Sequence, residues 1–76
     1  MARVTTAELV AEVVANVLRV EVAEGATVAP GDTVVLLESM KMEIPVITED
    51  DGTVLEILVK ETEPVAEGQV VAVIDG

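Results

Sequence analysis

Seventy-six residues suffice for one small domain, which buries only about 60% of its unfolded surface and needs an economical core. Apolar residues make up 51% of the chain, yet Phe, Tyr, Trp, Cys and His are all absent, which removes disulfides, thiolate or imidazole metal sites and the base of a catalytic triad. Fifteen acidic residues against four basic ones give a net charge of −11, which excludes a basic nucleic-acid footprint and argues against anionic membrane surfaces. No stretch approaches the roughly 20 apolar residues of a membrane span. Met1 to Leu18 faintly resembles a signal peptide, but Glu8 and Glu12 interrupt its apolar run. A cytoplasmic protein is expected, and strong self-repulsion favours a monomer.

In chain order, the first third reads as a helix on periodicity alone. Thr5 and Glu8 stand at capping-box spacing, and Val10, Val13, Val14, Val17 and Leu18 follow at helical intervals. An internal repeat overrides that reading. Slid along itself until Val17 meets Val54, the sequence brings Val22 onto Val59, Val28-Ala29 onto Val65-Ala66, Gly31 onto Gly68 and Val34 onto Val71, without a gap. The second copy contains Pro45, which lacks a backbone donor, and the turn signature Asp50-Asp51-Gly52. Neither suits a helix. If the copies share a fold, the first is β as well, in keeping with stiff valine side chains.

The expected elements are a strand from Leu9 to Glu12, a turn from Val13 to Asn16 and a strand from Val17 to Val22. Turns at Pro30-Gly31-Asp32 and Glu67-Gly68-Gln69 fall in matching places. Half-repeats of about four strands each, near 9–38 and 44–75, predict a single all-β domain over 1–76. Its two antiparallel sheets pack face to face about a pseudo-twofold axis.

Between the copies lies Glu38-Ser39-Met40-Lys41-Met42-Glu43, flanked by predicted strands from Val34 to Leu37 and from Ile44 to Ile47. So short a connection predicts a hairpin, whose turn should carry Asn, Gly or Asp because the favoured two-residue turns need φ > 0. This turn has none of them and sets a long cation between two methionines at an exposed tip. Breaking a local rule in this way is expected where function outweighs stability. An ordinary lysine amine is almost wholly protonated at pH 7. With no His and only carboxylates nearby, the chain offers no base to activate it. Lys41 is therefore read as a target of modification by another protein, not as a catalytic residue. Met40 and Met42 read as exposed recognition residues in preference to core fillers. Glu38 and Glu43 fit steering of a partner or simple solvation equally well.

Glu-Ser-Met-Lys-Met-Glu between two β-rich half-repeats resembles the attachment motif of biotin carboxyl carrier domains. The resemblance runs from about Leu9 to Ile74 and includes Gly31-Asp32 and Asp51-Gly52-Thr53-Val54. It implies a flattened eight-stranded barrel-sandwich with Lys41 on a hairpin at one end and the termini together at the other. It further implies a freestanding carrier without catalytic residues or metal. A biotin–protein ligase would join biotin to Lys41, with Met40, Met42 and, more weakly, Glu38 and Ser39 as the surrounding motif. A biotin carboxylase would load the tethered group, and the carrier would deliver carboxybiotin to a carboxyltransferase. Sibling lipoyl domains generally carry Asp-Lys-Ala or Asp-Lys-Val at this turn, so Met40 and Met42 favour biotin. Two departures stand out: Ala15-Asn16 where relatives often have Gly, and Thr62-Glu63 where they often have Gly-Asp.

The rival readings are a lipoyl carrier and an unmodified docking module of the same fold. Lys60 lacks flanking methionines and reads as a solubilising charge. Glu49-Asp50-Asp51 lacks the spaced oxygen ligands of a Ca²⁺ loop and reads as an acidic turn.

Overall fold

Valine-rich segments form the strands of a computed structural model, which describes residues 6–76; Ala15–Val20 and Met42–Ile47 alternate in exposure, whereas Val34 to Leu37 are buried in succession. Arg3 and Thr5 lie outside the described residues. The strands are β1 (Thr6–Val10), β2 (Ala15–Val20), β3 (Thr27–Val28), β4 (Thr33–Ser39), β5 (Met42–Ile47), β6 (Gly52–Ile57), β7 (Pro64–Val65) and β8 (Val70–Asp75). They form two four-stranded antiparallel sheets, ordered β1-β8-β6-β3 and β5-β4-β2-β7. Exchanging β1 with β5, β2 with β6, β3 with β7 and β4 with β8 converts one order into the other. That is the pseudo-twofold axis expected from the repeat.

The symmetry extends to single hydrogen bonds. Gly25 N–H donates to the Val54 carbonyl at 2.7 Å, and its counterpart Thr62 N–H donates to the Val17 carbonyl at 2.8 Å. Gly31 N–H reaches Thr48 O at 2.8 Å, and Gly68 N–H reaches Ala11 O at 2.7 Å. The Asp32 carboxylate accepts from Ala29 N–H at 2.9 Å, and the Gln69 amide oxygen accepts from Ala66 N–H at 3.0 Å. Such bonds satisfy the backbone of the turns, which would otherwise lose partners next to the core.

Repeat-related residues occupy equivalent positions in one core cluster. Val17 and Val54, Val28 and Val65, Val34 and Val71, and Leu37 and Ile74 are all buried. Fully burying an aliphatic side chain contributes about 1.5–3 kcal/mol, so these four pairs carry much of the stability of so small a domain. Thr48 is the one buried polar residue among those described; its hydroxyl donates to the Asp50 carbonyl at 2.7 Å and accepts from Asp50 N–H at 3.1 Å. That pair of bonds shapes the acidic turn.

Some boundaries differ from expectation. The first strand is Thr6–Val10, because β8 sets its register through Thr6↔Asp75 and Ala7↔Ile74. A bulge after Leu9 then ends it, so Glu12 lies outside it. The bend falls at 12–14, earlier than expected, because Ala15 and Asn16 already pair with Val65 and Pro64. The second strand ends at Val20, short of Val22. Val13 and Val14 are exposed, so the helical spacing of the valines marks no buried face.

Thr62 sits at φ 70°, where its counterpart Gly25 has φ 90°. A β-branched residue is poorly suited to this left-handed region, and such strain costs on the order of 1–3 kcal/mol. Thr62→Gly is expected to stabilise the fold by about 1 kcal/mol after the extra unfolded-state entropy of glycine is counted. Thermal unfolding should show a midpoint roughly 4–8 °C higher; an unchanged or lower midpoint would mean the strain is relieved locally.

Candidate functional site

β4 and β5 form the hairpin, through Leu37↔Ile44, Glu38↔Glu43 and Ser39↔Met42. The last pair leaves only Met40 and Lys41 to turn the chain. Their φ values are 52° and 66°, both positive, as a type I′ turn requires. This is the geometry that Asn-Gly ordinarily supplies. The expected mismatch between residue type and turn is therefore present in the backbone, with an unfavourable conformation at two successive residues. Pro45 lies on β5, an edge strand, where its missing donor is tolerated.

Met40 is 90% exposed and Met42 64% exposed, so neither fills the core. Lys41 is exposed at the tip between them. Among the described residues the single ion pair is Arg19–Glu21 at 3.5 Å, and Lys41 is held by neither Glu38 nor Glu43. Those two carboxylates face each other across the hairpin, an arrangement of like charges that disfavours the pairing slightly. Ser39 is half-buried beside them. The site thus holds an amine on a flexible four-carbon stem, two polarisable apolar side chains and two acids. No His is present to take a proton from the amine.

Sequence reasoning misses the ground beside the hairpin. Pairing of Asn16 with both Glu38 and Pro64 sets these three in a row across β4, β2 and β7. With Val14 they border an open hollow of about 320 Å³ that Met40 and Lys41 also line. Val14 is 71% exposed and adds apolar surface to the hollow that Met40 also lines. The signal is available only through register, because Val14 gains meaning once the bend and the β2–β4 pairing are known.

Replacing the turn by Asn-Gly tests its conformational cost. The Met40→Asn, Lys41→Gly double variant is expected to gain about 1 kcal/mol or more. Equilibrium denaturation should show a higher midpoint at an unchanged slope. A loss of stability would show that the native side chains relieve the turn by packing.

The sequence matches the family described as "Biotin-requiring enzyme" (Biotin_lipoyl) over residues 3–74. It is 48% identical over 64 residues to the "Biotinylated protein TB7.3 homolog" of Mycobacterium leprae, covering 84% of this chain and 90% of that protein. It is 46% identical over 57 residues to the "Biotin-dependent acyl-coenzyme A carboxylase alpha3 subunit" of the same organism, covering 75% of this chain but only 10% of that subunit. The fold superimposes on the urea carboxylase of Kluyveromyces lactis with a TM-score of 0.88 at 32% identity, over 97% of this chain and 6% of that one. In these last two the chain corresponds to one small part of a much larger protein. Hairpin, repeat symmetry and family match agree, and the chain belongs to the biotin/lipoyl attachment family.

Proposed function

We propose that Lys41 is the residue on which this biotin carboxyl carrier domain is loaded. The observation that carries the proposal is the two-residue turn, which spends two unfavourable backbone conformations to hold Lys41 at an exposed tip between Met40 and Met42. The chain is a carrier, not a catalyst, and works with biotin-dependent carboxylase and carboxyltransferase systems.

An exposed amine with no ion-pair partner fits covalent attachment, since nothing in the described structure must be displaced for a ligase to reach it. A biotin–protein ligase supplies both the activated acyl group and the base that removes the ammonium proton, because this chain has no imidazole to do so. Once deprotonated, Nζ attacks the acyl carbon of biotinyl-adenylate, the bond from that carbon to the phosphate oxygen breaks and AMP leaves, so that the lysine becomes an uncharged amide. Bound biotin supplies a ureido nitrogen that takes up and releases carbon dioxide. The chain's own part is mechanical. The β4–β5 ladder fixes where the stem begins, and the flexible stem gives reach. Tethering holds the group at effective concentrations on the order of mM near either partner's site. A net charge of −11 keeps the body from lingering on nonspecific surfaces. Action in the cytoplasm, as a monomer, belongs to the same proposal.

Intact mass spectrometry after co-expression with a biotin ligase and a lipoate ligase, both cofactors supplied, tests this reading. One biotinyl group mapped to Lys41 is expected. A lipoyl group there would move the chain to the sibling carriers. No adduct, with both ligases active on control carriers, would leave the hairpin as a docking element only.

A further inference from the structure

The described residues contain no Cys, His, Trp or Tyr, so the usual competitors for a mild oxidant are absent. What remains is thioether sulfur. Of the three methionines, Met1 lies outside the described residues, and the other two flank Lys41. Met40 and Met42 are 90% and 64% exposed, and no side-chain hydrogen bond in the described structure ties down the tip between them. The oxidisable side chains of residues 6–76 are therefore gathered at the loading turn, on the surface that a ligase must cover to reach Nζ.

We propose that Met40 and Met42 form an oxidation site through which hydrogen peroxide controls loading of Lys41; this rests on Lys41 being the acceptor. In each step the thioether sulfur attacks one peroxide oxygen and the O–O bond breaks. The sulfur gains one oxygen and is oxidised by two electrons, and the peroxide is reduced and leaves as water. The sulfoxide is polar where the thioether was apolar. A ligase surface that packs against two methionine side chains would then have to desolvate two sulfoxide oxygens without partners for them. The core is untouched, since neither sulfur is part of it. Oxidation thus leaves a folded carrier that loads poorly, and methionine sulfoxide reductases can reverse the change.

The test uses the unmodified chain, exposed to hydrogen peroxide, freed of it with catalase, and then given purified biotin ligase, ATP and biotin. Peptide mass mapping should place one oxygen on each of Met40 and Met42. The initial rate of biotinylation should fall roughly tenfold or more, the size expected when central contacts of an interface are lost. Treatment with methionine sulfoxide reductases should restore it. The Met40→Leu, Met42→Leu variant, treated in parallel, should keep whatever rate it shows untreated. An unchanged rate on fully oxidised chain would overturn the proposal, as would failure of these sulfurs to oxidise under conditions that oxidise free methionine. Failure of the untreated chain to accept biotin at Lys41 would instead strike at the loading assignment itself.

Discussion

Lys41→Arg is expected to abolish biotin incorporation while leaving the fold intact. Arginine keeps the positive charge and much of the length of the stem, and an exposed tip residue has little packing to lose. Its guanidinium is not deprotonated in proteins and offers no amine for the amide bond. Stability should therefore stay within about 0.5 kcal/mol of the parent, as for an exposed substitution away from special contacts. Intact mass and avidin capture, alongside thermal unfolding, separate loss of loading from loss of structure. Lys60→Arg is the matched control and should load normally. Lys60 lies beyond β6, and its backbone N–H donates to the Glu63 carboxylate at 3.2 Å; no methionine adjoins it in sequence. If Lys41→Arg still takes up biotin, another amine is the acceptor and the assignment falls.

The comparison between Lys41 and Lys60 shows why the candidate site is legible in one sequence. Composition cannot distinguish two exposed lysines. The repeat can, because it marks where symmetry is broken: the connection from β4 to β5 has no counterpart within the other copy. Register is legible for the same reason. Aligning Val17 with Val54 places β2 on β6, β3 on β7 and β4 on β8 without an offset. The ends of β1 and the start of β5 are not legible. Thr6 to Glu8 shows little apolar alternation, and its strand exists because β8 offers a partner far along the chain. Met42 joins β5 because Ser39 faces it across the turn. Pairing from distant sequence decides such boundaries, and local propensity does not record it. Val14 and Pro64 beside the hairpin are hidden in the same way.

Gly52 reads in the sequence as part of a turn with Asp50 and Asp51, yet it is the first residue of β6. The reason it must be glycine is contact more than turning. A Cβ there would run into the carbonyl oxygen of Asp75 and stand 2.8 Å from its carbon and 2.9 Å from Cα of Gly76. These are backbone atoms at the end of β8, which pairs with β6 one residue further on through Thr53↔Asp75. They cannot rotate aside as a side chain would, so accommodating a methyl group means separating the two strands locally. Gly52→Ala is expected to cost about 3 kcal/mol, the upper part of the range for overpacking. Total stability of a small domain is only about 5–15 kcal/mol, and the unfolding midpoint should drop by roughly 10–20 °C. Gly68→Ala separates the two possible causes. Gly68 has φ 84° but nothing within 4 Å of the place a Cβ would take, so alanine there meets backbone strain alone and should cost about 1 kcal/mol. Equal losses for the two variants would show that contact with β8 is unimportant. Gly52 itself lies at φ 155°, so both variants carry backbone strain, and only a loss at Gly52 well beyond that at Gly68 would place the excess in the β6–β8 contact, at the end of the sandwich away from Lys41. Because the symmetry mate of Gly52 is Ala15, which stays buried beside the hairpin, the methyl group is excluded at one end of the fold and accepted at the other. A Gly52→Ala chain kept cold enough to remain folded should then still accept biotin at the parent rate, since its damage lies far from the turn that presents the lysine.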